Sequence, residues 1–398
     1  MDLKRRERYA KRMTFALGIL LTYIFAGNMI SIYSTYIPYR DILRVVITIL
    51  GFLTIFRLSI VAMFSPKNII LPMILFVILA VSTTVVYYYD SYTSFSYAFL
   101  QCTDSIMWVA VFALSYWIGV YGENAIFNAR LYPYLVFIFA YLFLGVKAYS
   151  NNQGIALIST AYYALFLLPF VFLLKNKIIK TILIAIIFTT VLLSVKRGGF
   201  IAFILAVTGY YIVSVYVSGR DDNRKRYRII ATGFVAAIAL YALFEYYIST
   251  HSIGILDRLL SLRDDGGSGR TEIWAYTWEM IKSSNLFQLI FGHGFNTVYL
   301  DSALSLSAHN DLLEAIYDYG IAGLIIYAVI IKRIFGYYKL TLDIRKDLAP
   351  AFASSIILWI CMSAGAHLLI YPTHFLFLCI FWGLIIGELD RDRRLFLK

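Results

Sequence analysis

Arginines set beside glycines, and histidines set in short polar stretches, are the residues of this chain whose types and spacing could do chemistry. Four such stretches stand out. The first is Ser194-Val195-Lys196-Arg197-Gly198-Gly199. The second is Gly266-Gly267-Ser268-Gly269-Arg270-Thr271-Glu272-Ile273-Trp274. The third is Phe291-Gly292-His293-Gly294-Phe295. The fourth, Ala308-His309-Asn310-Asp311-Leu312-Leu313-Glu314, leads on to Tyr319-Gly320-Ile321-Ala322-Gly323. A guanidinium fork matches phosphate oxygens bidentately. Glycines that open a helix leave backbone N–H groups facing an anion. An imidazole is the natural proton acceptor near neutral pH. Together these suit an anionic lipid head group and a proton transfer.

Each stretch also has a plainer reading. Arg197 could snorkel to the lipid head groups, and Gly292 to Gly294 could be a simple turn. Asp311 and Glu314 fit a helix start, an acceptor followed three residues later by Glu, and interact favourably with the helix dipole. Trp274, Trp278 and Ile281 fall on one face of a helix over Thr271–Ile281, which lies on the membrane surface, caps a cavity or packs on the rest of the chain. His309 has the weakest structural excuse, although an exposed spectator is its alternative. His293, between two glycines, reads as a less rigidly held competitor; Asp301 and Glu272 come after it. No carboxylate pair is arranged for glycoside hydrolysis, and neither a GxSxG nor a P-loop occurs.

The elements that position these residues read as membrane helices. Hydrophobic residues make up 61% of the chain and charged residues 15%, against about 25% charged in soluble domains. Apolar runs long enough to cross a bilayer fall at 13–35, 42–64, 68–89, 104–121, 131–148, 154–174, 178–195, 199–218, 229–248, 311–332, 350–371 and 374–388. The expected fold is therefore all-α and polytopic: one integral-membrane domain over 1–398 with about 12 transmembrane helices. The first run reads as a span, not a cleaved signal peptide. Three cysteines without CxxC spacing suggest no disulfide framework or structural metal. Alternate connections, with the span ends adjoining them, hold 25 of the 35 Lys and Arg; the other side holds nine, and Arg57 lies inside a span. That asymmetry predicts cytoplasmic termini. It also accounts for the net charge of +12 without nucleic acid. The segment 249–310 then becomes one long extracytoplasmic loop between spans 9 and 10, and long loops are usually functional.

The ordered set of motifs resembles the Wzy/WaaL superfamily of O-antigen polymerases and ligases. It comprises Arg-Gly-Gly at a span start, Ser-Gly-Arg-x-x-x-Trp, Gly-x-Gly-Phe, and His-Asn-x-Leu ahead of Tyr-Gly-Ile-x-Gly-Leu. The resemblance covers residues 190–335, a Wzy_C-like catalytic region that includes loop 249–310. It implies an integral-membrane glycosyltransferase of the GT-C kind in the bacterial inner membrane, active on the periplasmic or extracellular face. The donor would be a glycan on undecaprenyl diphosphate, with no cofactor or metal. A chain-length regulator and a flippase would be its partners. Carried over residue by residue, Arg197 and Arg270 would hold the diphosphate and His309 would be the base. Lys196, where a small residue is commoner, would add a phosphate contact. Arg258, Arg263 and Trp274 complete the candidate substrate-binding set.

Polymerase and ligase share these motifs. The aromatic-rich (17%), Lys- and Ile-rich composition favours the polymerase. A transporter or flippase is the rival from another class, but such proteins carry ionisable or broken positions in paired spans, and Arg57 is the main mid-span charge here. A membrane scaffold would leave the Arg/His loop unexplained.

Overall fold

The computed structural model describes residues 18–24, 38–62, 69–90, 95–122, 129–152, 159–218, 227, 269–370 and 372–396. The span expected at 229–248, the loop residues 249–268 with Arg258 and Arg263, and the cations at 4–12 lie outside the described residues. Among the described residues every regular element is helical. Five helices among the described residues are long and apolar enough to cross a membrane: Ile70–Tyr89, Ala98–Tyr121, Arg197–Ser218, Asp311–Ile344 and Thr373–Arg393. Further helices coincide with the apolar runs at 42–64, 131–148, 154–174, 178–195 and 350–371. The count of twelve spans rests on the sequence.

In chain order the helices are α1 (Pro38–Ala62), α2 (Ile70–Asp90), α3 (Phe95–Tyr121), α4 (Leu135–Asn152), α5 (Ala161–Phe166), α6 (Leu168–Phe172), α7 (Lys177–Leu193) and α8 (Arg197–Ser218). After these come α9 (Arg270–Ser283), α10 (Leu286–Phe291), α11 (Thr297–Asp301), α12 (Asp311–Ile344), α13 (Ala349–Gly365) and α14 (Pro372–Phe396). The chain divides into two compact units. One is drawn from Met1–Leu131, Gly269–Tyr337 and Met362–Lys398, the other from Tyr132–Ser268 and Tyr338–Cys361.

In the first unit α14 packs most extensively against α3. Small residues make that possible. A Cβ on Gly383 would stand 2.5 Å from Cβ of Ser115, and one on Gly387 only 2.4 Å from the Tyr116 carbonyl oxygen. From the α3 side, a Cβ on Gly119 would meet the Leu384 carbonyl at 2.4 Å. Apolar side chains gain little by leaving lipid for a helix interface, so close backbone approach is what draws two such helices together. Asp390 ties the same end of the unit, accepting from Tyr116 Oη at 2.6 Å and from Tyr337 Oη at 2.9 Å. We expect Gly387→Val to destabilise the detergent-solubilised protein by at least the 1–3 kcal/mol, roughly, of an overpacked core, because its neighbour is backbone and cannot rotate away. Thermal unfolding checks this; an unchanged midpoint would show that α3 and α14 do not depend on that contact.

α12 runs 12 residues past the span end expected at 332. Beyond that point Ile334, Tyr337 and Thr341 stay buried at helical spacing, which carries the helix through a more polar sequence. It is also broken once, at Gly320, where φ is 66° and ψ −173°. A residue with a side chain rarely adopts that conformation. The break frees two carbonyls, and the chain re-engages both: His293 N–H donates to Tyr317 O at 3.0 Å and Gly294 N–H to Asp318 O at 2.8 Å. The approach leaves no room for a Cβ on Gly320, which would lie 2.3 Å from the Ile290 carbonyl oxygen. The Gly-x-Gly-Phe and Tyr-Gly-Ile-x-Gly stretches are thus two halves of one joint.

The second unit is built around α4 to α8. Aromatic rings interleave there, with Tyr132 stacked on Phe170 at 4.8 Å, Phe139 on Tyr163 at 5.2 Å and Phe172 on Tyr210 at 3.8 Å.

Candidate active site

Four chain segments of the first unit converge at the start of α12. α9 begins at Arg270, after Gly269 in the left-handed region at φ 76°. Its inward stripe is Trp274, Thr277 and Ile281; Trp278, expected on that stripe, is 47% exposed. Ile281 joins Val298, Ala308 and Tyr317 in one apolar cluster, so α9 packs onto the chain around α12. One turn after Arg270, the Trp274 indole N–H donates to the Ala308 carbonyl at 2.8 Å. That bond pins the backbone just before His309.

His309 is half-buried and left-handed, with φ 51°. Asn310 caps α12: its Oδ1 accepts from Leu312 and Leu313 N–H at 3.0 and 3.2 Å, and its carbonyl accepts from Glu314 N–H. Asp311 and Glu314 do fall in the first turn of α12, as read from the sequence, but Asp311 is not its cap. Asn310 takes that role one residue earlier, which turns Asp311 and Glu314 inward. Glu314 accepts from Ala308 N–H at 2.6 Å. Asp311 accepts from Ser363 Oγ at 2.5 Å and from Leu369 N–H at 3.1 Å. Both carboxylates are buried; Glu314 holds the backbone just before His309, and Asp311 ties the start of α12 to the segment 363–369.

The segment clamped by Asp311 carries a residue that sequence reasoning did not single out. His367 stacks on His309 with ring centroids 4.2 Å apart and 29° between the planes. Its Nδ1 shares a hydrogen bond with the Ser307 hydroxyl at 3.0 Å. Two residues before it lies Gly365, where a Cβ would stand 3.4 Å from Nη1 of Arg270. Arg270, Trp274, His309 and His367 thus share one neighbourhood. In sequence His367 lies within the apolar run 350–371, between Ala366 and Leu368, so the polar setting that singled out His309 was absent there.

His293 is more firmly held than its setting between glycines suggested. Its Nε2 and Ser284 Oγ lie 2.9 Å apart, its ring stacks on Tyr317 at 4.1 Å, and Asp301 lies 3.9 Å from Nδ1. Burial lowers the His293 pKa below the usual histidine value, against the opposing pull of Asp301.

In the second unit Arg197 is the first residue of α8 and is 8% exposed. The turn before it is tight: Val195 is left-handed at φ 57°, and the Ser194 hydroxyl accepts from Lys196 N–H at 3.3 Å. Gly199 admits the ring of Tyr162, which a Cβ would meet at 2.8 Å, while Gly198 faces open space. Lys196 is half-buried.

Among the described residues, fold and site together define a helical membrane protein with arginine and histidine gathered at the start of a kinked helix. Residues 182–328 match the Wzy_C family model, described as O-antigen ligase. This region, which takes in Arg197, Arg270 and His309, is similar to the Wzy/WaaL superfamily. The activity so supported is glycosyl transfer of the O-antigen polymerase or ligase type. No curated protein matches the chain.

Proposed function

We propose that this protein polymerises polyprenyl-diphosphate-linked oligosaccharide repeat units on the outer face of the bacterial inner membrane, as a GT-C-type enzyme using an undecaprenyl-linked donor and no metal. The observation that carries the reading is the gathering of Arg270, His309 and His367 around the start of α12, inside a region matching the family model. The acceptor hydroxyl oxygen forms a bond to the anomeric carbon of the donor glycan as its proton passes to His309. The anomeric C–O bond to phosphate breaks, and polyprenyl diphosphate leaves with the electron pair. Attack opposite the leaving group inverts the anomeric centre. Arg197 and Arg270, with Lys196, bind the charge that grows on the diphosphate, and a cation that binds the transition state more tightly than the ground state lowers the barrier. Trp274 fixes the backbone beside the base, while Arg258 and Arg263 supply further glycan or phosphate contacts.

A second reading is transfer of the glycan to lipid A core, favoured by the description of the matched family as O-antigen ligase. Purified protein, lipid-linked repeat units and detergent, with no energy source, separate the two. A ladder of lipid-linked polymers supports polymerase. Product only when lipid A core is added supports ligase. Neither product would exclude both.

The direction of the site follows from the charge asymmetry of the connections. A reporter fused after Lys398 should be active only in its cytoplasmic form. Activity of an exported reporter at that position would reverse the topology and turn His309 inward.

A further inference from the structure

A pocket of about 650 Å³ lies in the first unit between the end of α2, helix α10 and the Gly292–Gly294 joint. Its size falls within the range of small-molecule sites. Phe287 and Phe291 stand on its wall with ring centroids 5.0 Å apart, 62% and 38% exposed. Exposed rings of this kind offer apolar faces to the C–H face of a sugar. Its polar lining includes Tyr87, Gln288, His293 and Asp301.

Asp301 is held rigidly. Tyr87 Oη donates to its Oδ1 at 2.7 Å and Tyr317 Oη to its Oδ2 at 3.0 Å. A carboxylate has about four lone-pair sites, so these two donors leave capacity for hydroxyl groups of a ligand. The frame beneath is equally fixed. Asp318 accepts from Asn296 N–H at 2.8 Å, from Thr297 N–H at 3.1 Å and from Thr297 Oγ1 at 2.9 Å, and Phe295 N–H donates to Thr84 Oγ1 at 3.1 Å. A pocket formed in advance loses little entropy on binding. No Lys or Arg is among its lining residues, and the Asp301 charge repels phosphate. The chemistry that remains is a hydroxyl-rich or amino sugar.

We infer that this aromatic and carboxylate pocket is a glycan subsite that holds the acceptor repeat unit. The inference rests on the proposed glycosyl transfer. It assigns the diphosphate to the arginines and the sugars of the incoming unit to Phe287, Phe291, Gln288 and Asp301.

The test uses the full chain in phosphatidylglycerol nanodiscs. The probe is the repeat-unit oligosaccharide freed from its lipid by mild acid. Calorimetry should show saturable binding to the wild type. Phe287→Ala with Phe291→Ala should weaken it by about tenfold or more, as expected for two lost ring contacts. Phe287→Tyr should retain it, which guards against a fold defect. In polymerisation assays the double variant should raise KM for the acceptor unit while kcat at saturating acceptor is kept. Equal binding of the free glycan by wild type and double variant, or none by a wild type that still polymerises, overturns the subsite. A double variant that changes only partition into phosphatidylglycerol vesicles assigns the two rings to the membrane surface and also overturns it. A wild type that binds the glycan yet transfers none would overturn the proposed reaction and leave the subsite standing.

Discussion

His309→Ala and His309→Gln should each lower turnover by about 10²–10⁴, the usual contribution of a positioned general base. The acceptor hydroxyl is a poor nucleophile until its proton leaves. Gln keeps a hydrogen-bonding group at the position but cannot take the proton, so it should fall as far as Ala. Binding of lipid-linked donor should persist in both variants, because the proposed function gives that binding to the arginines. Three features hold His309, the proposed base, in place. Trp274 and Glu314 fix the Ala308 backbone from opposite groups, carbonyl and N–H. The ring of His367 stacks on that of His309. Asp311 clamps the segment that carries His367. His367 is accordingly a positioning residue. His367→Phe, which keeps a flat ring for stacking, should retain more turnover than His367→Ala, with KM nearly unchanged in both. The decisive measurement is product formation by purified His309→Ala and His309→Gln, with donor binding followed in parallel. Near-normal turnover by either would remove His309 from the mechanism and direct attention to His293, then Asp301 and Glu272.

Arg270→Ala and Arg197→Ala should each reduce polymer formation by about 10²–10³, the typical cost of losing one preorganised donor to a developing charge. Protein levels should stay near those of the wild type. Arg270 begins α9 with its guanidinium against Gly365, and Arg197 begins α8 almost wholly buried. Both therefore sit at helix starts, where backbone N–H groups add to the positive potential. Lysine at either position should recover little, since a point charge does not reproduce the planar fork. Single-turnover assays with lipid-linked donor read this directly. Normal ladders from both Arg270→Ala and Arg270→Lys would sink the diphosphate assignment.

Much of this protein was legible in its residues alone. Apolar length and helical period are local properties, so helices appear where the sequence places them: α8 starts at Arg197 and α9 at Arg270, within two residues of the expected starts. Residue chemistry is local too. Arginines next to glycines and a histidine in polar sequence could be picked out without neighbours, and their order carried the resemblance that the match over 182–328 bears out.

What only the tertiary structure decided were pairings between distant segments. Asp311 and Glu314 satisfy a helix-start pattern in sequence, yet Asn310 takes the cap and leaves Asp311 to bind Ser363 and Leu369, 52 and 58 residues away. His367 gained a role only because that clamp lays it against His309. The glycines of Phe291–Phe295 could be a simple turn by sequence, and nothing joined them to Tyr319–Gly323 until the break at Gly320 exposed two carbonyls for the N–H groups of His293 and Gly294. The physical reason is the same in each case. Helix formation depends on residues three and four apart, which a sequence displays. A buried carboxylate or an unpaired carbonyl must find its partner wherever packing supplies one, and sequence spacing does not encode that place.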